Sequence, residues 1–156
     1  MYEPSLLYHR TPEERADRFL SWQRPDRNFF ASGACHILAY LFIEIHSGEK
    51  KYQLIYIKPA EGYPGNHVYV SDGTWAFDFN GWTLEEELLR VTEEEYSKAY
   101  PGWKYERRIL AYDLYTLEDF CKENYHRMPY QYAYLPWERA YNYIKQFPSS
   151  PPESLK

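Results

Sequence analysis

The sequence predicts an α+β fold forming one domain over residues 1–147. N-terminal helices, one of them carrying Cys35, pack on a small antiparallel sheet of about four strands, and further helices follow at the C-terminus. Three features point there. Leu38, Leu41, Phe42 and Ile45 recur at helical spacing within residues 29–45, so this run reads as a buried helix. Residues 66–71 (NHVYVS) and 74–79 (TWAFDF) read as strands separated only by Asp72-Gly73, a preferred two-residue hairpin loop. Threonines followed three residues later by an acidic residue open helices on either side of the hairpin.

Taken in order, Thr11 as cap, Pro12 at the first helical position and Glu14 at the third start a helix to about residue 22. In the buried helix Ser32 is the expected N-cap and Gly33 and Ala34 fill the first positions, which puts Cys35 in the first turn. Residues 52–58 (YQLIYIK) form the strand before the hairpin. Thr83 and Thr92, each with Glu three residues on, predict two short helices that Pro101-Gly102 ends. Residues 104–114 read as a further strand, Thr116 with Asp119 opens a helix to about residue 125, and Pro136 starts another to about residue 146. The tail 148–156 (PSSPPESLK) has too little apolar content to order itself and is expected to be disordered.

The hairpin has a chemical consequence. With a two-residue loop at Asp72-Gly73, Ser71 opposes Thr74, Tyr69 opposes Ala76 and His67 opposes Asp78, all on one face. Opposed residues have Cβ atoms about 5 Å apart, within reach of an imidazole–carboxylate hydrogen bond. The other face carries Val68, Val70, Trp75, Phe77 and Phe79 and is apolar. A longer loop would bring Asn80 towards the histidine instead. Cys35 in a helix first turn meets unpaired amides and the positive end of the helix dipole, which favour a thiolate. The same amides can build an oxyanion hole, with Asn28, Ser32 or Gln23 as candidates for a second donor. Cysteine, then histidine, then aspartate are the nucleophile, base and orienting group of a thiol enzyme.

The segments SGACHILAYLF and GNHVYVSDGTWAFDF resemble the papain-like and transglutaminase-like cysteine enzymes, in which a helix-start Cys precedes a strand His and a following Asp or Asn. The resemblance spans residues 29–82, about a third of the chain. It implies a fold of that kind, with Cys35 as nucleophile, His67 as general base and Asp78 as the residue that holds the imidazole. Asn80, before Gly81-Trp82, is similar to the papain-type Asn beside a Trp, so the third role stays open between Asp78 and Asn80, with Trp82 beside them. Phe29 stands where papain has a Gln, six residues before the cysteine, which leans the match towards the transglutaminase-like branch. The implied reaction is thiol-dependent hydrolysis of a peptide or carboxamide bond in a protein or peptide, as protease or deamidase, with acyl transfer as the alternative. A non-catalytic, aromatic-rich binding domain of the same fold is the competing reading.

Charge and composition narrow the partners. A formal charge of −5 and a pI near 5.6, with scattered Lys and Arg, argue against nucleic acid. Glu85 to Glu87 and Glu93 to Glu95 read as a solvated helix face that could attract a basic substrate segment. Twenty per cent aromatic residues, with 18 tyrosines, suit either a tyrosine-rich core or a broad binding face. No apolar run is of membrane-spanning length, no signal peptide is evident, and two cysteines make no disulfide framework, so a reducing cytoplasm is expected, with signal-less export as an alternative. Cys121 reads as a packing residue. His36 and His126 lack the spacing of zinc clips, so no metal or other cofactor is expected.

Overall fold

The computed structural model describes residues 1–112 and 115–152. It is a mixed α+β structure with one antiparallel sheet of five strands, β1 (Gln53–Pro59), β2 (His67–Ser71), β3 (Trp75–Asp78), β4 (Gly81–Leu84) and β5 (Tyr105–Leu110). The strand order is β4-β3-β2-β1-β5. The strand the sequence reading lacked is β4. Thr83 pairs with Ala76 in β4 instead of capping a helix. Helix α5 (Glu85–Ala99) then runs unbroken through Thr92, which is buried within it.

The N-terminal region is a series of short helices, α1 (Pro12–Ala16), α2 (Arg18–Trp22) and α3 (Asp26–Ala31). The Thr11–Glu14 capping box forms as predicted. The single expected helix is broken at Asp17, whose carboxylate accepts from the Phe19 and Leu20 amides and so starts a new helix. Helix α4 (Cys35–Ile45) follows, and α6 (Leu117–Asn124) and α7 (Trp137–Ile144) close the chain. Residues 113–114, the end of the strand expected over 104–114, and residues 153–156 of the tail lie outside the described residues. Within the described part of the tail, the Pro148 carbonyl accepts from Trp82 Nε1 at 2.8 Å.

Both faces of the sheet are covered. Leu54, Tyr56, Val68, Val70, Phe77 and Phe79 pack with α4, Phe120 of α6 and Tyr143 of α7. Ile55, Ile57, Tyr69 and Ala76 pack with Leu88 and Tyr96 of α5, with Trp103 and with Tyr2. A buried side chain of this size is worth about 1.5–3 kcal/mol, so the alternation of apolar residues along β1 and β2 fixes which face meets which helix. The tyrosines serve mainly as core: Tyr2, Tyr56, Tyr69, Tyr96 and Tyr132 are all buried.

The hairpin register differs from the expected one. Ser71 pairs with Ala76 and Val70 with Phe77, a shift of two residues from the pairing of Ser71 with Thr74. The cause is the Asp72 side chain. Its carboxylate accepts from the Thr74 and Trp75 amides at 2.9 and 2.7 Å, so Asp72 opens the turn instead of occupying its centre. An even shift keeps each side chain on its expected face. The apolar face forms as read, except that Trp75 is half-buried.

Gly65 precedes β2 at φ +105°, and a Cβ there would lie 2.6 Å from Tyr96 Cε1. Both the backbone conformation and the close ring exclude any larger residue. Gly65→Ala should therefore cost about 2–3 kcal/mol, read as a lower urea midpoint; an unchanged midpoint would refute the tight packing of this loop on α5.

Candidate active site

Cys35 is the first residue of α4, with Ala34 as a cap that makes no side-chain hydrogen bond. Ser32, the expected cap, instead ends α3, and Gly33 lies between the helices at φ +112°. The three-residue link between α3 and α4 needs a left-handed residue, and glycine supplies it. The first helical hydrogen bond runs from Leu38 N–H to Ala34 O at 3.2 Å. The amides of Cys35, His36 and Ile37 therefore precede the ladder, as first-turn donors do. Among the three candidates for a second oxyanion donor, Ser32 alone lines the cleft at Cys35; Asn28 is half-buried elsewhere and Gln23 is exposed.

His67 begins β2 and Asp78 ends β3, and His67 Nε2 meets Asp78 Oδ2 at 2.9 Å. Continuing the observed register would set Asp78 opposite Tyr69, so His67 reaches it as a diagonal neighbour rather than a direct one. The expected contact thus forms by a different pairing. Asp78 Oδ2 also accepts from Tyr2 O–H at 2.7 Å, and Oδ1 accepts from the Asn80 amide and side chain at 2.8 and 3.2 Å. A carboxylate receiving all these donors can only accept, so Nε2 carries the hydrogen.

Asn80 does not touch the ring. Its Oδ1 accepts from the Glu3 amide and from Arg27, and its Nδ2 donates to the Glu3 carbonyl, which ties the N-terminal strand of chain down beside Asp78. Of the two candidates, Asp78 is the one hydrogen-bonded to His67. Trp82 packs edge-on against Phe42 and Phe77 and tilted against Tyr52.

The second ring nitrogen, Nδ1, is buried and has no partner that meets hydrogen-bond geometry. Cys35 is nonetheless close enough to act on the ring. Burial pushes the His67 pKa down, but the interactions with Asp78 and then Cys35 outweigh it and raise it to about 10. Catalytic hydrogen bonds are commonly loose before substrate arrives. His67 and Asp78 are 2% and 3% exposed, and Cys35, at 6%, is the member of the three that lines a cleft of about 470 Å³.

That cleft was not legible in the sequence. Its wall combines His9, Arg10 and Arg15 from the N-terminal region, Pro64 and Gly65 before β2, and His126 and Arg127 after α6. The acidic residues of α5 take no part in it. Glu85 is not solvated but buried, accepting from Tyr69, Ser71 and Arg107.

Cys121 is buried, and burial with the nearby Glu118 charge pushes its thiol up to about 12. His36 is fully buried; its Nε2 meets the Arg127 carbonyl at 2.8 Å, beside His126. Among the described residues no group of three or more His, Cys, Asp or Glu could hold a metal ion. No helix among them is long and apolar enough to cross a membrane.

Comparison with protein-family models, curated proteins and solved structures gives no match.

The raised His67 pKa carries a pH signature. A group held protonated above its ordinary value of about 6.5 stabilises the fold fully below that pH and loses the contribution as pH rises through about 10. Unfolding free energies from urea titrations across this window should fall in the wild type with an excess slope of up to about 1.4 kcal/mol per pH unit over His67→Gln. Parallel profiles for the two proteins would contradict a protonated His67.

Proposed function

We propose that this protein is a cysteine-nucleophile hydrolase of the papain-like and transglutaminase-like kind, acting on a peptide or carboxamide bond of a protein or peptide substrate. One observation carries the reading: the His67 ring is held through Nε2 by Asp78 at 2.9 Å, while unpaired Nδ1 shares its surroundings with Cys35 at the start of α4.

The chemistry follows from these positions. The Cys35 sulfur, as thiolate, adds to the carbonyl carbon, and the negative oxygen that develops is met by first-turn amides of α4. His67 donates its Nδ1 proton to the departing amine or ammonia as the C–N bond breaks, leaving a Cys35 thioester. His67, now neutral, takes a proton from water as that water attacks the thioester carbonyl, and the carboxylic product leaves with Cys35 regenerated. Asp78 fixes the ring's tautomer and stabilises the imidazolium. An amine acceptor in place of water would turn the same thioester to acyl transfer.

Iodoacetamide at neutral pH should label Cys35 about a hundredfold faster than Cys121, and His67→Ala should slow Cys35 by about tenfold or more, read by peptide mass. Hydrolysis found in a screen of peptide and glutamine-bearing substrates should drop by about a thousandfold in Cys35→Ser. Equal labelling of the two cysteines, or full activity in Cys35→Ser, would overturn the proposal.

A further inference from the structure

The cleft in front of Cys35 differs in charge from the rest of the molecule. The chain as a whole is acidic, at −5, yet the cleft wall holds Arg10, Arg15 and Arg127 and no aspartate or glutamate. Among the described residues, none of these three arginines has a carboxylate within ion-pair distance; Glu14, which adjoins Arg15 in sequence, pairs with Arg24 at 3.7 Å. His9 and His126 add no positive charge at neutral pH, because burial and the arginines lower both.

Two of the guanidiniums are held in place without being satisfied. Arg127 Nη2 donates to the Arg15 carbonyl at 2.8 Å, but its Nη1 is buried with no acceptor. Arg10 lies across Gly33, two residues before Cys35, so close that a Cβ at Gly33 would be 3.3 Å from its Cδ and Nε. Arg10 Nε is buried and unpartnered too. Burial and repulsion from Arg127 both work against the Arg10 charge. Like charges gathered with orphaned donors and no counterion are costly unless an anion completes them. Planar guanidinium forks match a carboxylate in particular.

We propose that the cleft takes a substrate carboxylate, so that the bond cleaved at Cys35 is an amide flanked by an acidic side chain or a chain-terminal carboxylate. This rests on the nucleophile reading above and adds the substrate class to it. Arg10 and Arg127 grip the anion and Arg15, exposed at the rim, draws it in.

Two reagents of nearly equal size, iodoacetate and iodoacetamide, test this without a known substrate. In both, the thiolate sulfur displaces iodide, and only the charge of the reagent differs. The iodoacetate-to-iodoacetamide rate ratio at Cys35 should exceed that of N-acetylcysteine by about tenfold, and should return to it in the Arg10→Gln, Arg127→Gln double variant. Arg10→Lys should retain part of the excess. Because both reagents meet the same sulfur, the ratio does not depend on how reactive that sulfur is, and an unchanged urea midpoint in these variants shows that the fold is intact. A wild-type ratio equal to that of N-acetylcysteine, with fast iodoacetamide labelling, would overturn the carboxylate site and leave the nucleophile standing. Failure of both reagents would remove the nucleophile, and this inference with it. Protection of Cys35 by an end-blocked peptide with internal Glu assigns a side-chain carboxylate; protection by a peptide whose single anion is its C-terminus assigns a terminal one; protection by neither overturns both.

Discussion

The buried hydrogen bond between His67 and Asp78 is the constraint on which the rest of the site depends. Placing an imidazole and a carboxylate where both are nearly sealed from water is costly unless each finds partners for its polar atoms. Asp78 finds four donors in His67, Tyr2 and the amide and side chain of Asn80. His67 has only Asp78 and the influence of Cys35. The incomplete member of the network is thus Nδ1 of the ring that Cys35 influences. A purely structural network would be expected to close on itself.

Much of the remaining chain serves to hold that arrangement. Tyr2 bonds Asp78 directly, while Arg27 gathers Glu3, Asn80 and the Phe79 carbonyl. Arg24 joins the Ser32 carbonyl to that of Tyr8, so the same N-terminal stretch also braces the residues leading into α4. Tyr132 O–H donates to the Gly33 carbonyl at 2.6 Å from the opposite side. Cys35 and His67 are therefore positioned by one set of crosslinks. They sit on rigid elements, as a reactive pair requires.

How much of this the sequence disclosed follows from the range of the interactions. The α4 helix and the β2–β3 hairpin are local, and apolar periodicity with an Asp-Gly turn was enough to predict both. The exact register was not legible, since it turned on whether Asp72 would cap the turn amides or sit at the turn's centre, and the two outcomes keep the same faces. Strand β4 was hidden because Thr83 and Glu86 imitate a capping box, and only pairing with β3 overrides it. The Tyr2 bond to Asp78 and the Asn80 bond to the Glu3 amide were beyond local reasoning because they span 76 and 77 residues. The arginines of the cleft come from distant parts of the chain, so the runs Glu85 to Glu87 and Glu93 to Glu95 pointed to a basic ligand where the cleft gathers arginines instead.

The claim that Cys35, His67 and Asp78 act as one unit is tested most directly by the ring-nitrogen NMR shifts of His67 at neutral pH, in the wild type and in Cys35→Ser. Two protonated ring nitrogens in the wild type, with the ring's pKa lowered when the thiol is replaced, are the predicted result. A neutral His67 at neutral pH, or a titration indifferent to Cys35, would contradict it.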